Sequence, residues 1–277
     1  MLLDTERQVI TESPNAIRLR ASSLPDLLDC PRRWESKNIY KKYLPKTEIA
    51  LLGTAIHKGT AAFDLGVLNL QEISVDDAVG VAVEEIWQPK DEIKFEELTQ
   101  ADLEKITKPL VTKYCNEYAR TLKYLAVELT CPDLLISDLG IILTGTTDRV
   151  YQDEFENIGI IDVKTGKTAV SADGTVKTSG HKTQLAVYEL LTAHALGCDL
   201  TAPALIIGMQ TGATAKAQRI GIGTVKNAKD VLIGNSLEKG VLTHASNVLH
   251  SGIFYGNPKS MMCHVKYCPN FLTCTSK

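Results

Sequence analysis

Residues Ile158–Lys167 read IGIIDVKTGK. A branched apolar run passes straight into an aspartate and a lysine. Its length and β-branched content make it a strand, and side chains two apart on a strand share a face. Asp162 and Lys164 therefore point to one side, and Val163 points the other way into a core. A buried strand that ends in paired charges is either an ion pair at a sheet edge or the edge of a site.

The segments around this strand define an α/β chain. Tyr124–Thr130, Ile141–Tyr151 and Asn157–Val163 read as three successive strands, and Ala204–Met209 and Ala217–Ile222 as two more. His181–Leu196 is an apolar helix between the two groups, and a helix is expected from about Asn227 to Leu249. This order implies a mixed central sheet flanked by helices. Upstream, the first residues read as a polar arm or a first strand. Ser22-Ser23-Leu24-Pro25 opens a helix carrying Leu27, Leu28 and Cys30. Helical spacing follows over Ala50–Leu68, Asp76–Trp87 and Leu98 to about Tyr124, the last bent or broken near Pro109. The chain thus divides into a helical region over 1–123, a core over 124–225, and a helix with a cysteine-rich tail over 226–277, all within one integrated domain.

Composition narrows the class. With 277 residues, 44% hydrophobic and 23% charged, the chain can bury a sizeable core. A net charge of −3 rules out a uniformly basic coat and leaves room for a local basic groove. No run approaches the ~18 apolar residues that cross a bilayer. The opening MLLDTERQVI lacks the apolar core of a secretory signal. The expectation is a cytoplasmic protein of a phage or prokaryotic cell, with no membrane partner.

Chemistry concentrates near the quoted strand. GTTDRV places Asp148 on a neighbouring strand, and pairing would bring two carboxylates and an ammonium together. Such a set binds Mg²⁺ or Mn²⁺ through hard oxygens, activates water and stabilises charge on a phosphate. His57, in GTAIHKG, offers a nitrogen ligand or a phosphate contact. Gln184 and Tyr188, in QLAVY, lie on one helix face. There they can hydrogen-bond the lysine, a nucleotide or each other.

In this order the residues resemble the PD-(D/E)xK nuclease superfamily, and within it the RecB-like exonuclease branch. The resemblance runs through His57, Asp148, Asp162-Val163-Lys164 and Gln184/Tyr188. It implies a restriction-endonuclease-like fold and a Mg²⁺- or Mn²⁺-dependent DNA nuclease acting on single strands or duplex ends. It also implies that His57, Asp148, Asp162 and the Val163 carbonyl hold metal, and that Lys164 assists the water, with Gln184 and Tyr188 in support. Glu128, in AVELT, stands where many relatives carry a further acid; a solvated strand glutamate is the other reading. The alternative function is a DNA-binding or adaptor subunit of a recombination or CRISPR-adaptation complex that keeps the fold without useful catalysis. No P-loop of the G-x-x-x-x-G-K-[ST] type occurs in the sequence, so a helicase partner would be a separate chain.

Seven cysteines in a reducing compartment do not suggest disulfides. Cys115, Cys131 and Cys198 read as isolated small hydrophobes. Cys263-x4-Cys268-x5-Cys274 is dense enough for a metal or an iron–sulfur cluster, with Cys30 as the fourth ligand. One cysteine before the nuclease motifs and three after them resembles the RecB-like nucleases that carry a 4Fe-4S cluster, including AddB-type and CRISPR-associated relatives. Their commoner first gap is two residues, so zinc stays open and His264 is a conceivable substitute ligand. Candidate DNA contacts are Arg32, Arg33, Lys37, Lys41, Lys42, Lys167 and Lys182, with Trp34, Tyr40 and Tyr43 as stacking platforms.

Overall fold

The computed structural model describes residues 16–277. The arm expected at the start lies outside them up to residue 15, and Ile17–Arg20 forms strand β1. Helices α1 (Leu24–Asp29) and α2 (Pro31–Asn38) follow, each with proline in its first turn. There the ring presets φ and the missing N–H would have had no helical partner. Cys30 is the extended corner between them, at φ −150° and ψ 94°.

After β2 (Lys46–Thr47) comes the long helix α3 (Glu48–Leu68), capped by the Thr47 hydroxyl, which accepts from the Ala50 N–H. Capping boxes start α4 (Val75–Trp87) at Ser74/Asp77 and α5 (Gln100–Glu117) at Thr99/Asp102, satisfying backbone donors that have no partner within the helix. The short β3 (Ile93–Lys94) lies between them. No break occurs at Pro109: α5 runs through it. Buried Leu103, Ile106, Leu110, Val111 and Tyr114 pin one face of the helix on both sides of the proline, so tertiary packing overrides one lost hydrogen bond.

The strands are β4 (Lys123–Thr130), β5 (Leu134–Ile136), β6 (Ile141–Thr144), β7 (Thr146–Gln152) and β8 (Ile158–Gly166). Helix α6 (Lys182–Leu196) leads to β9 (Ala204–Gln210) and β10 (Ile220–Val225). The main sheet has the order β10-β9-β8-β7-β4, and a small sheet has the order β1-β6-β5. Strands β8 and β9 are parallel and the other neighbours in the main sheet are antiparallel, giving the mixed α/β architecture expected.

Two expectations are corrected. The single strand over 141–151 is two strands in different sheets, divided at Gly145. A Cβ at Gly145 would stand 2.9 Å from the Tyr188 ring and 3.1 Å from Leu191, so only glycine lets the turn lie against α6. The single helix from 227 to 249 is also two, α7 (Ala228–Ile233) and α8 (Val241–Ser251). Gly234 ends the first at φ +85°, a conformation that side chains resist.

The sheet separates two apolar layers. On one face Leu52 and Ile56 of α3 and Leu110 of α5 pack with Ile161 and Val163. On the other, Leu24, Leu185 and Leu249 pack with Ile160 and Ile206. Alternation along β8 therefore sends Val163 to the α3 layer and leaves Asp162 and Lys164 on the α6 side. Both cores draw on segments from every third of the chain, so the helical region and the sheet share their interior. Among the described residues no helix is long and apolar enough to cross a membrane.

Candidate active site

The site lies where two central strands part. The last pair joining β7 to β8 is Arg149↔Ile161. One residue further, Asp148 and Asp162 face each other across a widening gap. The Oδ2 of Asp148 fills the place of a backbone acceptor by taking the Val163 N–H at 2.8 Å. This fixes one carboxylate against the strand that carries the other.

Two more elements close on Asp148. His57 on α3 brings Nδ1 to 3.6 Å from Asp148 Oδ2. On β4, Glu128 lies between the pairs Val127↔Arg149 and Leu129↔Thr147, hence opposite Asp148. Ligand atoms of His57, Glu128 and Asp148 all lie within 4.8 Å of one another. Burial raises the Glu128 carboxyl, and the neighbouring charge of Asp148 adds to the rise. The Glu128 backbone is left-handed, at φ +50°, a strained conformation for a side-chain-bearing residue. The structure places Glu128 beside His57 and Asp148 on an exposed strand position, its side chain 48% exposed, so both readings of the sequence, an acid near the site and a solvated strand glutamate, meet at this residue.

Asp162 is 2% exposed. Its Oδ2 forms an ion pair with Lys164 Nζ at 2.6 Å. Burial pushes the carboxyl up to about 6; Lys164 opposes this and Asp148 adds to it. Asp162 stands outside the three-residue group, beside Lys164. Behind them, Gln184 Nε2 donates to the Tyr188 hydroxyl at 3.3 Å. Burial pushes that phenol up to about 12, Gln184 opposing and Asp162 and Asp148 adding to the rise. Hard carboxylate oxygens and one imidazole fit a divalent cation of the Mg²⁺ or Mn²⁺ kind.

Buried polar residues support the group from the α3 layer. Arg149 Nε donates to Asp64 Oδ2 at 2.6 Å, and Nη1 reaches Glu128 Oε1 at 3.2 Å and the Asp148 carbonyl at 2.7 Å. Tyr114 also donates to Asp64 Oδ2, at 2.7 Å. Asp64 and Arg149 are missing from the sequence reading. The available signal was an arginine within the strand of GTTDRV, since a buried guanidinium requires a partner.

The expected DNA contacts divide. Arg33 and Trp34 are 3% and 2% exposed and meet no solvent-borne ligand. Arg33 is held by Asp26, Asp29 and Ser260, and the Trp34 ring stacks on Phe254. Lys37 pairs with Asp26 and Arg32 with Glu35. Lys41, Lys42, Lys167, Tyr40 and Tyr43 are exposed and Lys182 is half-buried. The open cleft beside His57 and Glu128 is lined instead by Arg20, Thr54, Lys58 and Thr165.

At the far end of the fold, Cys30, Cys263, Cys268 and Cys274 line one cavity. Among the described residues no three of their sulfurs lie within 4.8 Å of one another. His264 is exposed, packed near Tyr267 and Phe271, and absent from the cavity wall that the four cysteines share. The tail is also tied down by polar contacts. Ser260 Oγ donates to Asp29 Oδ2 at 2.6 Å, Asn257 Nδ2 to the Asp29 carbonyl at 2.9 Å, and the Asn257 N–H to Cys30 Sγ at 3.4 Å. Cys115 and Cys131 are buried as small apolar residues, whereas Cys198 is exposed.

A mixed sheet split between two strands, with acids and a lysine at the split, defines a restriction-endonuclease-like hydrolase. The sequence matches the PD-(D/E)XK nuclease superfamily over residues 18–274, and the chain belongs to that superfamily, whose members are nucleases that use divalent metals. Comparison with curated proteins gives no match. Among solved structures, "Crystal structure of SSO0001" is similar at 13% identity over 94% of this chain and 86% of that one, with a TM-score of 0.43, a likeness too slight to argue from.

Proposed function

We propose that the protein is a Mg²⁺- or Mn²⁺-dependent deoxyribonuclease of the RecB-like kind, acting as an exonuclease on single strands or duplex ends. The observation that carries this reading is the buried Asp162 carboxylate, ion-paired with Lys164 at 2.6 Å, facing Asp148 with His57 and Glu128. His57, Asp148, Asp162 and the Val163 carbonyl would hold the cation, joined by Glu128. When bound, it supplies Lewis acidity to the scissile phosphate and its attacking water. Lys164 orients that water by donating a hydrogen bond, and Asp162 keeps the ammonium in place. Asp148 holds the two strands at the split through the Val163 N–H. Tyr188, oriented by Gln184, closes the α6 side of the carboxylates. Arg20 in the cleft is a phosphate contact at the mouth of the site.

We read the four cysteines as ligands of a structural 4Fe-4S cluster. One cysteine before the nuclease motifs and three after them, all lining one cavity, support that reading, with zinc as the alternative.

The test is degradation of end-labelled single- and double-stranded DNA with Mg²⁺ or Mn²⁺. Asp162→Ala and Lys164→Ala should each lower the rate by about 100-fold or more. Activity that survives both substitutions would remove the proposed site. A wild-type protein as inactive as the variants, yet still binding DNA, would show the adaptor reading to be the right one.

A further inference from the structure

Arg149 is 1% exposed and its partner Asp64 is fully buried. A pair this deep is expensive to desolvate and is weak evidence for stability. Its position suggests another use. The guanidinium touches three elements that build the acidic group. Through Nε and Nη2 it holds Asp64, at 2.6 Å, and Thr60, at 3.4 Å, both on α3. Through Nη1 it holds Glu128 on β4 and the backbone carbonyl of Asp148 on β7. His57, Thr60 and Asp64 fall on one face of α3, at spacings of three and seven residues. The face that Arg149 clamps is therefore the face that presents His57 to Asp148. One planar fork sets the distance between the helix bearing the imidazole and the strands bearing two carboxylates.

We infer that Arg149, braced by Asp64, is a positioning residue that sets the spacing of His57, Glu128 and Asp148 for cation binding. This rests on the reading of those three residues as a ligand set. Lysine cannot replace arginine here, because one ammonium cannot reach Asp64, Glu128 and the Asp148 carbonyl in the same plane. The geometry of the fork matters more than its charge.

The experiment measures Mn²⁺ binding to the metal-free full-length chain by electron paramagnetic resonance, alongside thermal melting and DNA degradation as a function of Mg²⁺. The variants are Arg149→Lys and the pair Arg149→Met with Asp64→Leu. The double variant removes both buried charges and so avoids stranding one of them. Each folded variant is expected to bind Mn²⁺ about 10- to 100-fold more weakly, as for loss of a residue that orients ligands. Each should also need correspondingly more Mg²⁺ for half-maximal activity. A double variant that melts as a folded protein and binds Mn²⁺ like wild type would overturn the inference and leave Arg149 as core packing. Asp148→Ala is the control for the underlying reading. If wild type and Asp148→Ala bind Mn²⁺ equally, the ligand set itself is wrong and the inference falls with it. If Asp148→Ala loses binding while both Arg149 variants keep it, only the inference falls.

Discussion

At the scale of single residues, the site holds a carboxylate that the metal-free fold destabilises. Burial lifts Asp162 from 3.8 to about 6, so the folded chain binds that proton more tightly than the unfolded chain. Its contribution to stability is therefore present below about pH 4 and is lost as the pH rises through 6. Asp162→Asn removes the charge and should melt higher than wild type at pH 8 without divalent ions. The advantage should vanish toward pH 4. Thermal melting of both proteins across that range, without divalent ions, checks it; a constant difference at every pH would mean that Asp162 is not strained by its burial. Acid–x–lysine on a strand alone reads as an ion pair; Asp148, His57 and the QLAVY helix in the same sequence are what pointed to Asp162 and Lys164 as a site. Residue identity could not place Glu128, whose role depends on lying opposite Asp148 in the register of β4 with β7. Nor could it exclude Arg33 and Trp34 from the DNA surface, since a basic-aromatic stretch looks the same whether it faces water or a core.

At the scale of elements, GTAIHKG works as a unit. Its two glycines flank His57 on α3. A Cβ at Gly59 would fall 2.8 Å from the Ala78 carbonyl and from the Ala82 Cβ on α4. One at Gly53 would fall 3.0 Å from the Thr165 hydroxyl on β8. The helix thus approaches its neighbours at both ends of the motif, and His57 sits between the two contacts. Gly59→Ala must push α3 from α4, a small-to-large change of the kind that costs about 1–3 kcal/mol. Melting should fall by several degrees, and the Mg²⁺ needed for activity should rise because His57 moves with the helix. Unchanged melting would show that the two helices separate freely. Periodicity located most elements because it is a local property of the backbone. It joined β6 to β7 because Gly145 takes its meaning from a distant neighbour, Tyr188, and α7 to α8 because the positive-φ turn at Gly234 leaves no mark on apolar spacing. At Pro109 the break that a local rule allows does not occur, because a buried face holds the helix through.

At the scale of the whole molecule, Cys30 from the start of the described chain meets Cys263, Cys268 and Cys274 from its end. The Arg33–Asp29–Ser260 network ties the same two segments. Protein purified without oxygen should be brown, with a broad visible absorption band. Cys268→Ser should lose the colour and expose the tail to protease, the polar network retaining part of the protection. A colourless wild type that contains zinc, or a variant that keeps both colour and protection, would end the cluster reading. Closure of the fold between the Cys30 segment and the cysteine-rich tail was legible only as a pattern of cysteines; the buried arginine that shares the task had no such signature.

By itself the sequence determined the alternation that sets Asp162 and Lys164 on one face, the α/β order of elements, and the residue types suited to a divalent cation. These follow from the covalent geometry of a few adjacent residues, which is the same in every context. Tertiary structure alone decided that Glu128 joins His57 and Asp148, that Arg149 braces them through Asp64, and that Arg33 and Trp34 belong to the interior. Each of those outcomes depends on strand register and on packing between residues far apart in the chain, where the free energy lies in desolvation and contact and not in local conformation.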